Sequence, residues 1–284
     1  MRMIGQVKTC SRQPLFIIVL VNILLGRNKM YTLRKKIVLS GLMVTLLTVS
    51  STSWATVYFG EDLGLGESTP LSSYPNANAA SASFLSQLTG VGTETFEAPD
   101  QTVGQTAPLT LTFPGAGTAT LSGTGAIASV TPGTTNGVGR YAVSGSQFWE
   151  VSGTFDISFS DPIAAFGFYG VDIGDFGGYV TVMTTGAGGS TTYNVDNSIN
   201  DPGGGVLFWG LIDTSNPFTS ISFGNTATGT DYFAFDNMTI GTVAQVCGQP
   251  GGPPCPTPEP PSLALLGLGL VGLMAVSRRK FSYC

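Results

Sequence analysis

Phe155-Asp156-Ile157-Ser158-Phe159 sets an apolar residue at every second position, the period that sends alternate side chains to opposite faces of a β-strand. Such a segment puts one face into a core and leaves Asp156 and Ser158 in water. Ile221-Ser222-Phe223 repeats the arrangement. Outward from these, apolar stretches recur at Leu109–Phe113, Ala119–Leu121, Arg140–Val143, Ile163–Tyr169, Tyr179–Met183, Thr191–Val195, Val206–Ile212, Phe218–Phe223 and Tyr232–Ile240. Pro132-Gly133, Gly177-Gly178, Gly188-Gly189 and Pro202-Gly203 lie between them and supply turns. The spacing predicts an all-β fold over residues 56–242, an antiparallel β-sandwich that is jelly-roll-like. Its roughly 187 residues suffice for one sizeable core. One segment departs from the strand pattern. Asn78 to Leu88 is rich in Ala, has Asn78 available as an N-cap, and sets Leu85 and Leu88 on one helical face. A short N-terminal helix covering one end of the sandwich is predicted there.

The basic residues are unevenly placed. Eight precede residue 37, three are Arg278, Arg279 and Lys280, and Arg140 alone lies between Thr56 and Thr257. That body carries 16 acids against one base, a net of −15 that the whole-chain value of −5 conceals. Such a charge repels nucleic acid and anionic lipid and attracts divalent cations. A nucleic-acid partner is therefore excluded, while solvation of a soluble surface accounts for most of these acids taken singly.

The chain has no His, which removes the commonest general base and every Ser-His-Asp or Cys-His arrangement. It also lacks a phosphate-cradling Gly-Lys-Ser/Thr step, and one Arg cannot clamp a phosphoryl transition state. A glycosidase needs only two carboxyl groups across a cleft, and Glu94, Glu97 and Glu150 are the candidates. A structural or solvated role is the simpler account of each, and the chain is read as non-enzymatic. Cys247 and Cys255 flank Gly248-Gln249-Pro250-Gly251-Gly252-Pro253-Pro254, a loop that can close. In an oxidising compartment they form a local disulfide; without His they make a poor zinc site. The Pro and Gly content of residues 243–257 suits a semi-rigid stalk.

Both ends carry export features. Arg34, Lys35 and Lys36 precede an apolar run from Ile37 to Val49, and Ser53-Trp54-Ala55 has the small-x-small pattern that signal peptidase accepts. Residues 30–55 therefore read as a signal peptide cleaved after Ala55, and residues 1–29 as an upstream extension with Met30 the true start. A genuine N-terminal anchor, built on Leu15 to Leu25, is the rival. At the other end, Pro258-Glu259-Pro260 holds the chain extended. Leu263 to Val276 is uncharged and near the lower limit for spanning a bilayer, and Arg278, Arg279 and Lys280 hold the cytoplasmic side. This order, over residues 258–284, resembles the PEP-CTERM sorting signal of Gram-negative bacteria. The resemblance implies recognition and cleavage by a membrane-embedded exosortase, transient anchoring through the C-terminal helix, and export to the cell surface or beyond. Phe281-Ser282-Tyr283-Cys284 extends past the usual end of such tails. A plain C-terminal membrane anchor is the alternative, and it too puts the body outside the cytoplasm.

One further constellation pairs Glu97, in Thr95-Phe96-Glu97, with Asp236, in Phe235-Asp236-Asn237. Sandwich carbohydrate-binding modules open and close with similar steps, and the resemblance implies a structural Ca²⁺ held by Glu97 and Asp236. An outward strand residue capping a turn is the plainer account of Asp236. Asp172 and Asp175, three apart in a Gly-rich loop, fit Asx turns, or a cation or sugar contact. Trp149, Tyr169, Phe176, Trp209 and Tyr232 could form a sugar platform, although aromatics in sandwiches are more often core. Two functions survive. The first is a surface or matrix protein, which the sorting resemblance associates with exopolysaccharide and biofilm. The second is a calcium-dependent carbohydrate-binding module, or a glycosidase.

Overall fold

Five strands of alternating burial form most of one layer. A computed structural model describes residues 55–229, 231–248 and 253–255. In it β3 (Leu109–Phe113), β4 (Gly117–Gly123), β7 (Phe155–Ile163), β9 (Val180–Gly186) and β12 (Phe218–Asn225) join the exposed β10 (Gly189–Asn194) in a six-stranded sheet. The order is β10-β9-β12-β7-β4-β3. Leu111, Ile157, Val182 and Ile221 point inward, buried, while Thr112 and Ser158 are exposed.

The opposing sheet has seven strands. Its path is β1 (Thr56–Asp62), β11 (Val206–Ile212), β8 (Ala165–Val171), β13 (Tyr232–Gly241), β6 (Gln147–Ser152) and β5 (Ala126–Ser129). The short β2 (Thr93–Glu94) pairs with the far end of β13. All strand pairs in both sheets are antiparallel, so the fold is an all-β sandwich. Between the layers Phe155 stacks on Phe223 at 4.4 Å, and from the opposing sheet Phe235 meets both rings at 5.1 Å while Phe168 meets Phe223 at 5.3 Å.

β8 and β11 are buried at every position. A strand buried on both faces needs a second layer, and α1 (Pro75–Leu85) supplies it. Gly167 and Gly210 face each other across β8 and β11. A Cβ on either would sit within 3.0 Å of the Phe84 ring, so the paired glycines form the notch that seats Phe84. The helix thus lies on the outer face of the sheet, where the sequence pointed to one end of the sandwich. It also starts three residues earlier than expected, at Pro75, because proline suits the first turn and Asp62 accepts the Asn76 and Ala77 N–H groups. Asn78, expected as the cap, instead accepts a bond from the Tyr169 hydroxyl. The buried face is Ala77, Ser81 and Phe84, while Leu85 is 37% exposed.

Arg140–Val143, expected as a strand, is loop. β1, β5 and β6 lie in segments not expected as strands. β13 runs into a 3₁₀ turn at Val243–Gln245. There Gln245 Nε2 donates to the carbonyls of Gly90 and Gly115, and the Cys247 N–H donates to Gln87. Cys247 is disulfide-bonded to Cys255, with their Cα atoms 4.6 Å apart. Among the described residues no helix is long and apolar enough to cross a membrane. The apolar run Leu263 to Val276, the sorting residues Pro258, Glu259, Pro260, Arg278 and Arg279, and the signal-peptide core lie outside the described residues.

Candidate functional site

Carboxylates far away in sequence, Glu97 in the loop after β2 and Asp236 on β13, hold the loop between β5 and β6. β13 bulges between Asp236 and Thr239, and Asn237 takes φ +48°. The bulge turns Asp236 toward the loop, where one oxygen accepts the Val143 and Ser144 N–H groups and the other accepts Asn237 N–H. Phe96 takes φ +59° and so presents Glu97, whose Oε1 accepts Ser146 and Gln147 N–H at 2.6 Å each. The two carboxylates named for calcium therefore come to one five-residue segment, and five backbone amides occupy them.

Their environments differ. Asp236 is 0% exposed; burial pushes its pKa up to about 7, against the pull of the Ser144, Asn237 and Val143 amides, and the Glu97 charge raises it further. For Glu97 the upward push of partial burial is outweighed by its bonds to Ser146 and Gln147, and its pKa is lowered. Ca²⁺ takes six to eight oxygens, and the amides leave it little of Asp236. Among the described residues no group of three or more His, Cys, Asp or Glu side chains is gathered to hold a metal.

Arg140 anchors the same loop. Its Nε donates to Glu150 at 2.6 Å, its NH1 reaches Asp172 at 3.4 Å, and its guanidinium lies 5.3 Å from the centre of the Tyr232 ring. Asp172 also accepts Gly204 N–H. Burial drives its pKa up to about 6, assisted by Asp175 and offset by Gly204 and Arg140. Asp175 is raised by burial and then by Asp231, whose carboxyl group it meets.

Asp201, which the sequence reading passed over, belongs to this end of the molecule. Its Oδ1 accepts Gly64 and Gly203 N–H, and its buried Oδ2 has no partner among the described residues. Burial raises its pKa. Asp201 stands directly before the Pro202-Gly203 turn, and an Asp bonding the amide two residues on is an Asx turn; that was the available signal.

The glycosidase candidates are committed elsewhere. Glu94 is buried and accepts from Phe96 N–H and Gln101 Nε2. Glu150 is bound to Arg140 and Asn136. Nor do the five aromatics form a platform. Trp149 and Trp209 are 0% exposed, Tyr169 packs on Phe208, and Phe176 packs on Phe233. The core takes them because large rings contribute most when buried, and Tyr232 alone of the five stands exposed, at 51%. A pocket of about 290 Å³ opens beside the braced loop, lined by Leu71, Tyr74, Tyr141 and Val143 among others. Tyr74 donates to the Val143 carbonyl and Tyr141 to that of Gly204. Ala55 is exposed, directly ahead of β1.

Residues 256–280 match the PEP-CTERM protein-sorting motif. The motif implies an exported protein, anchored transiently through its tail until an exosortase cleaves it. No curated protein matches the chain. Solved structures that resemble it include the K2 cleaved adhesin domain of Lys-gingipain, 19% identical over 53% of this chain and 97% of that one, with a TM-score of 0.32. The Stig cyclase Fisc from Fischerella sp. TAU is 14% identical over 53% and 96%, with a TM-score of 0.30. TmCBM61, solved with β-1,4-galactotriose, is 14% identical over 43% and 86%, with a TM-score of 0.25. Likeness at this level says nothing about what this chain binds or catalyses.

Proposed function

We propose that this is a non-enzymatic protein of the cell surface or extracellular matrix, delivered by signal peptidase and an exosortase and acting alongside exopolysaccharide in cell cohesion or biofilm. The observation that carries the reading is the sorting motif at residues 256–280. Supporting it, Glu94, Glu97 and Glu150 are engaged by amides or by Arg140. Cleavage after Ala55 would release a chain beginning with the first residue of β1, and cleavage near Pro258 would free the body from the membrane. Intact-mass measurement of surface material tests this. The expected mass lacks residues 1–55 and the apolar tail; a mass retaining Arg278 to Lys280 would replace sorting by permanent anchoring.

A second reading, a calcium-dependent carbohydrate-binding module with Glu97 and Asp236 as ligands, is favoured by the meeting of both carboxylates at residues 143–147. Binding to a glycan array that chelator abolishes would select it. Cell cohesion lost on deletion, with no glycan bound, would select the first.

A further inference from the structure

The stretch between the sandwich and the sorting motif holds a feature that neither export nor binding uses. Cys247 is 4% exposed, its N–H is bonded to the Gln87 carbonyl, and Val246 beside it bridges to Leu88. Cys247 is thus part of the folded body. Its disulfide partner Cys255 is more open to solvent and stands immediately before the sorting motif, which begins at residue 256.

We propose that the Cys247–Cys255 bond sets the length of the tether between the sandwich and the sorting signal, and thereby the rate at which the signal is processed. The inference rests on the exosortase reading. With the bond closed, the path from Cys247 to Pro258 crosses 4.6 Å between the two Cα atoms and then three residues, at most about 15 Å in all. With the bond open, eleven residues span up to about 40 Å. The body itself has a radius of gyration of about 16 Å by its length. A membrane-embedded protease must take its substrate as extended chain, and the closed ring leaves only Pro256 and Thr257 free ahead of Pro258. The oxidised form therefore crowds the enzyme, and the reduced form reaches it freely. Closing the ring removes two electrons and two protons from the two thiols. A disulfide-bearing oxidant receives them by thiol–disulfide exchange and leaves as the dithiol. Oxidation and sorting thus compete in order, and a chain sorted before oxidation is processed faster.

Pulse-labelled precursor and mature forms, followed in cells containing the exosortase, test this. Three chains are compared: the native one, Cys247→Ser with Cys255→Ser, and the native chain with ten Gly/Ser residues inserted after Cys255. The double-serine and spacer chains should both mature several-fold faster than the native chain. The spacer chain keeps the disulfide, so its result stands even if the double-serine chain folds poorly. Equal or slower maturation of the spacer chain overturns the tether proposal. Failure of all three to mature overturns the exosortase reading instead.

Discussion

Asp236 makes the stability of the sandwich depend on pH in a direction opposite to the usual one for carboxylates. Its pKa in the folded protein is about 7, raised by burial from 3.8. Between these values the folded state holds a proton that the unfolded chain has released, so stability falls as pH rises. The contribution is complete below about pH 4 and gone above about pH 7. The gap corresponds to roughly 4 kcal/mol, at about 1.4 kcal/mol for each pH step. Asp172, raised to about 6 by burial, acts in the same sense, and Glu97, lowered, acts against it. At about 2–4 °C per kcal/mol for a domain of this size, the mature protein should melt on the order of 10 °C higher near pH 5 than near pH 8. Thermal melts by circular dichroism across that range read it directly. Asp236→Asn keeps an oxygen for Val143 and Ser144 but sets an NH₂ against the Asn237 amide, a loss of about 1–3 kcal/mol. In exchange it has no proton to release, so most of the slope between pH 5 and 7 should vanish. A melting temperature that rises from pH 5 to 8, or a slope unchanged in Asp236→Asn, refutes the argument. Bound calcium would keep Asp236 ionised and reverse the slope, so a reversal that chelator abolishes would establish the metal site at Glu97 and Asp236.

Phe84→Ala should cost about 3–5 kcal/mol, read by urea denaturation, because it empties the notch between Gly167 and Gly210; a loss under 1 kcal/mol would mean that α1 covers nothing essential. Arg140→Ala leaves Asp172 and Glu150 without their cation, and since the Arg140 and Asp172 side chains are 12% and 5% exposed, the loss should reach about 3 kcal/mol. It should also raise the Asp172 pKa further, steepening the acid-side gain in stability, whereas an unchanged pH profile would make Arg140 dispensable to that charge. Thiol labelling of exported protein without reductant should leave Cys247 and Cys255 untouched, and modification of both would remove the disulfide from the native form.

Alternation is a property of the chain itself, and it made the sandwich readable. In Leu109–Phe113 and Phe155–Phe159 the two-residue period fixes which face is buried, whatever strand lies alongside. β6 hid because Phe148 and Trp149 are adjacent and both buried, which breaks the period, and β1 hid because a half-buried edge strand shows none. β11 read only as one apolar stretch among others, and its burial on both faces came from the fold; Phe84 could be matched to Gly167 and Gly210 only once the chain had brought residues far apart in sequence together. The site follows the same division. Glu97 and Asp236 stood out as steps in the sequence, and the sorting motif needed no fold at all, since it is read as linear chain. What holds the carboxylates was decided by tertiary structure, because Asp236 meets Val143 across 93 residues and Asp201 meets Gly64 across 137. Arg140–Val143 read as a strand from its apolar composition, but Arg140 bonds back to Asn136 and Val143 bonds the side chains of Asp236 and Tyr74 in place of a ladder, and only the closed sandwich brings the last two to it.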